Sequence, residues 1–387
     1  MKIIIPTEYI DNESTDIELE EDEGKIGAPR PYDPDKIRVD TNQFSLRNVL
    51  DMIDDREVDL APDFQRNQVW KSEQKSRLVE SVLLRIPLPA FYFSSDRRGR
   101  MQVVDGVQRL TTLHQFVRDK NSFPLSNLEY LDDQLHGKRF SDLDTEWVAR
   151  INRTQLTVNV IDPQTPPRVK FDIFKRLNTG GAPLTAQEIR HCMSQNTSRS
   201  LLKKIVESPV FARALPAQIV NHRRMANREM VLRAAGFWLL EGDELGNSRY
   251  TGKRFKDYES LDNFLNDVTE IIDEKLTESA TTKLEMAMLS GIDNTQRIFG
   301  DRAFRKWRQH EDYRYPVNKC LFEVWTVVLA GLEWNSIQPR AKEIKAGFRD
   351  LCMDADFENA ISRGTSKPNS VEKRFSMVRA LVEPIVE

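Results

Sequence analysis

The sequence predicts an α+β N-terminal domain, a small mixed sheet with helices, followed by an all-α C-terminal region. Two observations predict it. Between residues 43 and 161, short β-branched or aromatic runs alternate with stretches of helical period. From about residue 190 onward, apolar residues recur at helical spacing almost throughout. The boundaries read as an acidic, poorly ordered tail over 1–40, a first domain over 41–195 and a helical domain over 196–387.

Composition narrows the class. Hydrophobic residues make up 39% of the 387 and charged residues 30%, as in a soluble globular protein. No apolar run is long enough to cross a bilayer, and the first residues form no secretory signal, so no membrane partner is expected. Cys192, Cys320 and Cys352 lie far apart with no CxxC, which points to a reducing cytoplasm and away from structural zinc. The net charge of -3 is unevenly placed: residues 11–24 carry eight acids and no base, and the rest of the chain is left at +5. A mildly basic body permits a nucleic-acid partner. The acidic run reads first as a solvated tail and second as an arm that mimics nucleic acid and covers a basic groove.

The elements follow in order. Ser45 precedes Leu46, Val49, Leu50 and Ile53, the pattern of an N-capped helix. Residues 58–60 read as a strand, and 62–70 as a polar loop with two aromatics and Arg66. Ser72 is placed to cap a helix striped with Leu78, Val79, Val82 and Leu83, which Pro87 and Pro89 stop. Residues 90–93 and 101–104, joined by a charged turn with Gly99, predict a hairpin. A helix over 110–117 follows at once. Residues 156–161 are a further strand, and Val169, Phe171, Ile173, Phe174 and Leu177 mark the next helix. It runs into Asn178-Thr179-Gly180-Gly181, and Thr185 with Glu188 makes a capping box for its successor. Further helices are predicted around 261–276, 284–298, 320–332, 341–353 and 371–382.

The chemistry concentrates at Asp105-Gly106-Val107-Gln108-Arg109, where a strand ends and a helix begins. Gly106 permits the tight turn. The first helical N–H groups then face the strand end, a setting that suits phosphate. Arg109 adds a planar cation and Asp105 a carboxylate able to hold a divalent metal or accept a proton. The plainer alternative is a strand-to-helix turn whose Asp caps the helix.

Four ordered motifs carry a resemblance. They are Gln65-Arg66 to Trp70, Ile86-Pro87-Leu88-Pro89, Asp105-Gly106-Val107-Gln108-Arg109 with Thr111-Thr112-Leu113, and Phe174 to Thr185 with Asn178, Gly180 and Gly181. Over roughly residues 43–195 the chain resembles the N-terminal domain family of GmrSD-type restriction enzymes, within the ParB/sulfiredoxin-like superfamily. The resemblance implies a nucleotide-binding domain that hydrolyses nucleoside triphosphates with Mg2+ or another divalent metal, in a bacterial anti-phage system acting on DNA. It implies that Asp105 binds the metal or polarises water, and that Gln108 positions water or nucleotide. Arg109, Arg66, Gln65, Gly106 and Thr111 would hold phosphates, with Asn178, Gly180 and Gly181 approaching the ligand. Val107 departs from the family pattern, which has Gln there. The five histidines include no pair near an Asn in the C-terminal half, so no HNH nuclease is expected in this chain. A separate nuclease subunit is compatible with that, as is an oligomer.

Two basic runs lie beyond the first domain. Arg223, Arg224 and Arg228 follow His222, and Arg305 and Lys306 precede Trp307. Either would suit a phosphate backbone; the commoner role of such runs is a solvated helix face. Three functions therefore stand: an NTPase or NTP-gated switch, a DNA nuclease or nickase using the same corner, and a non-catalytic DNA-binding regulatory subunit.

Overall fold

The computed structural model describes residues 6–10, 13–20, 37–60, 70–96, 99–120, 122–177, 184–194, 196–242, 260–308 and 313–386. The chain divides into two compact units, one of residues 31–193 and one of residues 1–30 with 194–387. Among the described residues no helix is long and apolar enough to cross a membrane.

The chain begins in the second of these units with a hairpin, β1 (Thr7–Ile10) against β2 (Glu13–Glu18). It then builds the sheet-and-helix unit from β3 (Val39–Ser45), α1 (Leu46–Asp54), β4 (Val58–Asp59), α2 (Ser72–Leu83), β5 (Phe91–Ser95) and β6 (Met101–Asp105). The same unit continues through α3 (Val107–Arg118), α4 (Asp132–Leu135), α5 (Thr145–Arg153), β7 (Gln155–Ile161), α6 (Pro167–Leu177) and α7 (Ala186–Met193). The chain returns to the hairpin's unit as α8 (Asn196–Val206), α9 (Pro209–Ala214), α10 (Ala217–Val220), α11 (Ala226–Glu241) and α12 (Leu261–Glu274). It ends with α13 (Glu278–Phe299), α14 (Lys319–Val328), α15 (Trp334–Ile337), α16 (Ala341–Leu351), α17 (Ala355–Ser362) and α18 (Pro368–Val386).

The five-stranded sheet runs β3-β7-β5-β6-β4 and is mixed. β3 and β6 lie antiparallel to their neighbours β7 and β5, whereas β5 with β7 and β4 with β6 are parallel. One face carries Phe91, Phe93, Val103 and Val158 into a core with Val49, Leu50, Val79, Val82, Leu110 and Phe116 from α1, α2 and α3. The other face places Val104 and Ile161 against Phe171, Phe174 and Ile189 of α6 and α7. Local sequence explains the element starts. The Ser45 hydroxyl accepts from the Asn48 N–H at 3.2 Å. Thr185 and Glu188 close the capping box reciprocally, at 2.7 and 3.1 Å. Ser72 is not the cap of α2, as its sequence position suggested: Lys71 holds that place, and its N–H donates to the Gln74 side chain at 2.9 Å. Buried Glu80 of α2 accepts three backbone N–H groups, from Glu129, Tyr130 and Leu131 at 2.9, 2.7 and 2.9 Å, and so pins the loop before α4.

In the helical unit, α13 and α14 meet at Gly291, where a Cβ would stand 1.9 Å from the Thr326 carbonyl oxygen. Arg233, Glu323 and Arg374 are fully buried together; Glu323 accepts from Arg233 at 2.8 Å and also from Arg374. The expectation of a poorly ordered tail over 1–40 is corrected for residues 6–10 and 13–20, which form the hairpin. Ile17 is buried in the helical core, and β2 bonds to Val317 through Glu18 N–H and Asp16 C=O, both at 2.8 Å.

Candidate nucleotide corner and the basic runs

The corner is built as a strand end, a glycine and a helix mouth. β6 ends at Asp105, Gly106 follows at φ +94°, and α3 starts at Val107. Gly106 is obligatory for two reasons: positive φ disfavours an L side chain, and a Cβ there would stand 2.3 Å from Cδ1 of Phe91. Gly106, not Asp105, is the residue preceding the helix, so the plainer reading of Asp105 as a cap does not hold. Its carboxylate instead accepts from the Arg109 guanidinium, Nη2 to Oδ2 at 2.9 Å.

Arg109 is held on four sides. Beyond Asp105, it donates to the carbonyls of Pro89 and Ala90, the latter at 3.3 Å. Its guanidinium carbon lies 4.4 Å from the Phe91 ring centroid, a cation–π contact. Burial pulls its pKa below the usual arginine value, while Asp105 acts in the opposite direction. The side chain is 13% exposed against 34% for Asp105. The corner therefore presents the carboxylate more openly than the cation. Pro89, Ala90 and Phe91 were not singled out in the sequence; the signal available was the Pro-x-Pro run, which follows α2 and leads into β5, bringing the Pro89 and Ala90 carbonyls to the corner.

The remaining positions sort clearly. Gln108 and Thr111 are half-buried on α3, and Thr112 is buried. Val107, the departure from the family pattern, is 6% exposed and packs into the sheet core. That difference falls on packing more than on the open side of the corner. The far part of α3 is tied to α1 through His114 with Asp54 at 2.8 Å and Arg118 with Asp54 at 2.9 Å. On the other sheet face α7 packs beside β6, with Gln187, Glu188, Arg190 and His191 all buried. These polar residues had drawn no attention in the sequence beyond the Glu188 cap. Gln65, Arg66, Asn178, Gly180 and Gly181 lie outside the described residues. Among the described residues, no group of three His, Cys, Asp or Glu side chains converges as a metal cage would.

With this geometry in view, the comparison with known families is decisive for one segment. Residues 46–194 match the GmrSD restriction endonuclease, N-terminal domain, family. The resemblance drawn from the four motifs holds there. The GmrSD N-terminal match opens on the first residue of α1 and closes just past α7, and it contains the whole corner. It leaves out β3, which nonetheless completes the sheet by pairing with β7 along its full length. No curated protein matches the chain.

The basic runs of the helical unit are placed differently from expectation. Arg305 and Lys306, read as a solvated helix face or a contact for a phosphate backbone, are 1% and 4% exposed. Arg305 pairs with Asp16, Nη2 to Oδ2 at 2.7 Å, and Lys306 with Glu18 at 2.7 Å and Glu358 at 3.0 Å. Arg228 is likewise buried, at 9% exposure. Arg223 is exposed and Arg224 half-buried, so of the five predicted contacts these two alone lie at the surface. The reason is non-local: Asp16 and Glu18, which pair with Arg305 and Lys306, come from the far end of the chain.

Proposed function

We propose that this chain is a component of a restriction system acting against foreign DNA, and that its GmrSD-like domain binds a nucleoside triphosphate at the Asp105–Arg109 corner. The observation that carries the reading is the pairing of a helix mouth with a half-exposed carboxylate held in place by a buried guanidinium. A helix leaves its first N–H groups without intrahelical partners, and their partial positive charge favours a phosphate.

Within this reading Asp105 is the group that would hold a divalent metal. Mg2+ is commonly held by one or two protein carboxylates, with substrate phosphates and water completing its shell, so a single carboxylate fits. When bound, the metal neutralises phosphate charge and lowers the cost of charge development in transfer. Arg109 is then a positioning residue: it fixes the Asp105 carboxylate and ties the residues that enter β5 to the start of α3. Gln108 contacts water or nucleotide, and Thr111 contacts phosphate. The ParB/sulfiredoxin-like kinship belongs to the same reading.

The tied state of Arg109 favours a second reading, in which the corner binds nucleotide without turnover and acts as a switch. The test is phosphate release from a panel of triphosphates with and without Mg2+, alongside plasmid nicking without nucleotide. Release that disappears in Asp105→Ala supports hydrolysis. Binding without release supports the switch. Nicking without nucleotide would move the chemistry to a phosphodiester and overturn both.

A further inference from the structure

The acidic hairpin and the basic runs, far apart in sequence, meet in one unit. Besides Asp16 on Arg305 and Glu18 on Lys306, Glu18 accepts from the Asn318 amide at 3.1 Å. Glu20 takes both terminal nitrogens of Arg233, at 2.8 and 3.1 Å, and accepts from Thr365 at 2.9 Å. Lys319 stands 3.9 Å from the same carboxylate. Glu8 meets His222 at 3.3 Å. Every acid named here thus faces a basic side chain from the helical body. Asp16, Glu18 and Glu20 are spaced two residues apart, about 7 Å along an extended chain, which is close to the spacing of phosphates along an extended polynucleotide strand.

The attachment rests on charge more than on apolar burial. Ile17 is the one hydrophobic residue of β1 and β2 buried in the core. Among the described residues the backbone link between β2 and the body is the bridge of Ile17 to Val317. Asp16 sits at φ +61°, a left-handed conformation that costs a non-glycine residue some strain. Buried ion pairs are poor stabilisers compared with apolar packing of the same volume. Lys306, Lys319 and Arg233 also pair with Glu358, Glu229 and Glu323 of the body, at 3.0, 3.4 and 2.8 Å, whereas Arg305, among the described residues, meets its acid on the hairpin alone; the hairpin supplies the remaining negative charge, with little apolar contact.

We propose that Arg305, Lys306, Arg233, Lys319 and His222 line a binding surface for a nucleic-acid backbone, and that the acidic hairpin occupies it as an intramolecular mimic. Phosphates displace the carboxylates, and the hairpin leaves. The surface would read charge and spacing, so binding is expected to be sequence-independent and salt-dependent. This inference stands on the helical unit alone and is independent of the corner's chemistry.

Hydrogen exchange on the full chain, with no triphosphate present, tests it without any substitution. An oligonucleotide duplex added at low salt is expected to speed exchange across residues 13–20, including the Glu18 N–H that bonds Val317, and to lose this effect at high salt. Neutralising the mimic with Asp16→Asn and Glu18→Gln is expected to tighten duplex binding about tenfold or more, since each replaced carboxylate no longer competes. Adding Lys306→Gln to that variant should lower the salt slope by about one. Duplex binding that leaves the hairpin's exchange unchanged overturns the proposal, as does the absence of binding to wild type and variant alike. Equal displacement by polyglutamate at matched charge overturns the assignment to nucleic acid.

Discussion

Replacing Gly106 by alanine probes the corner's construction most directly. Two costs add. The backbone is held at φ +94°, where an L residue loses about 1–2 kcal/mol. The new Cβ would lie 2.3 Å and 2.8 Å from two carbons of Phe91, a ring that is fully buried and cannot turn away. Forcing a methyl group into a packed core costs about 1–3 kcal/mol. Together they predict a loss of about 3 kcal/mol, or roughly 6–12 °C in Tm for a unit of this size. Gly137→Ala is the internal control. It too has positive φ, +74°, but nothing within 4 Å of its Cβ, so it should show the backbone cost alone. Urea unfolding followed by hydrogen exchange of the β5, β6 and α3 peptides reads this unit separately from the helical one. Because Phe91 is also the seat of Arg109, nucleotide affinity should fall with stability in Gly106→Ala and not in Gly137→Ala. Equal losses in the two variants would refute the close packing of Phe91 beneath the corner.

Three further outcomes follow from the same structure. Glu80→Gln removes an acceptor from a buried carboxylate bonded to three N–H groups and should cost about 2 kcal/mol by chemical denaturation. Burial raises the Glu80 pKa, but those three bonds outweigh it and hold the folded value below the ordinary 4.5. The folded state therefore binds fewer protons, so Glu80's contribution is present above about pH 4.5 and is lost as pH falls through the folded pKa; the gap between wild type and Glu80→Gln should shrink on acidification. Gly291→Ala should destabilise the helical unit by about 3 kcal/mol, since the obstacle is the Thr326 backbone, and a thermal shift below 2 °C would contradict it. Burial pushes the Cys320 and Cys352 thiols up to about 12, and all three cysteines are buried, so native protein should resist alkylation at pH 8 and react after unfolding.

What the sequence made legible was local. The Ser45 cap, the Thr185–Glu188 box, the hairpin of β5 and β6 and the turn at Gly106 each depend on residues a few positions apart. The strand β7 showed in its β-branched content, and α12, α13, α14, α16 and α18 in their helical period, whereas the short α15 and α17 did not. The failures share a different cause. Arg305 and Lys306 read as a free basic run because their partners, Asp16 and Glu18, lie 289 and 288 residues away. The acids, seen alone, read as a solvated tail for the same reason. Arg109 was visible as a cation beside Asp105. Its engagement with Pro89, Ala90 and Phe91 was not, because backbone carbonyls offered by the segment leading into β5 leave no mark in residue type. Val107 looked like a lesion in a motif until its side chain was seen to belong to the core.

The central claim is that triphosphate settles beside Asp105 at the mouth of α3. Isothermal calorimetry of the full chain with each common triphosphate and Mg2+ tests it most directly, with Asp105→Asn as the paired variant. Saturable heat at one site is expected for at least one nucleotide, lost or strongly weakened in Asp105→Asn. Absence of heat with every triphosphate, or an undiminished signal in Asp105→Asn, would contradict it.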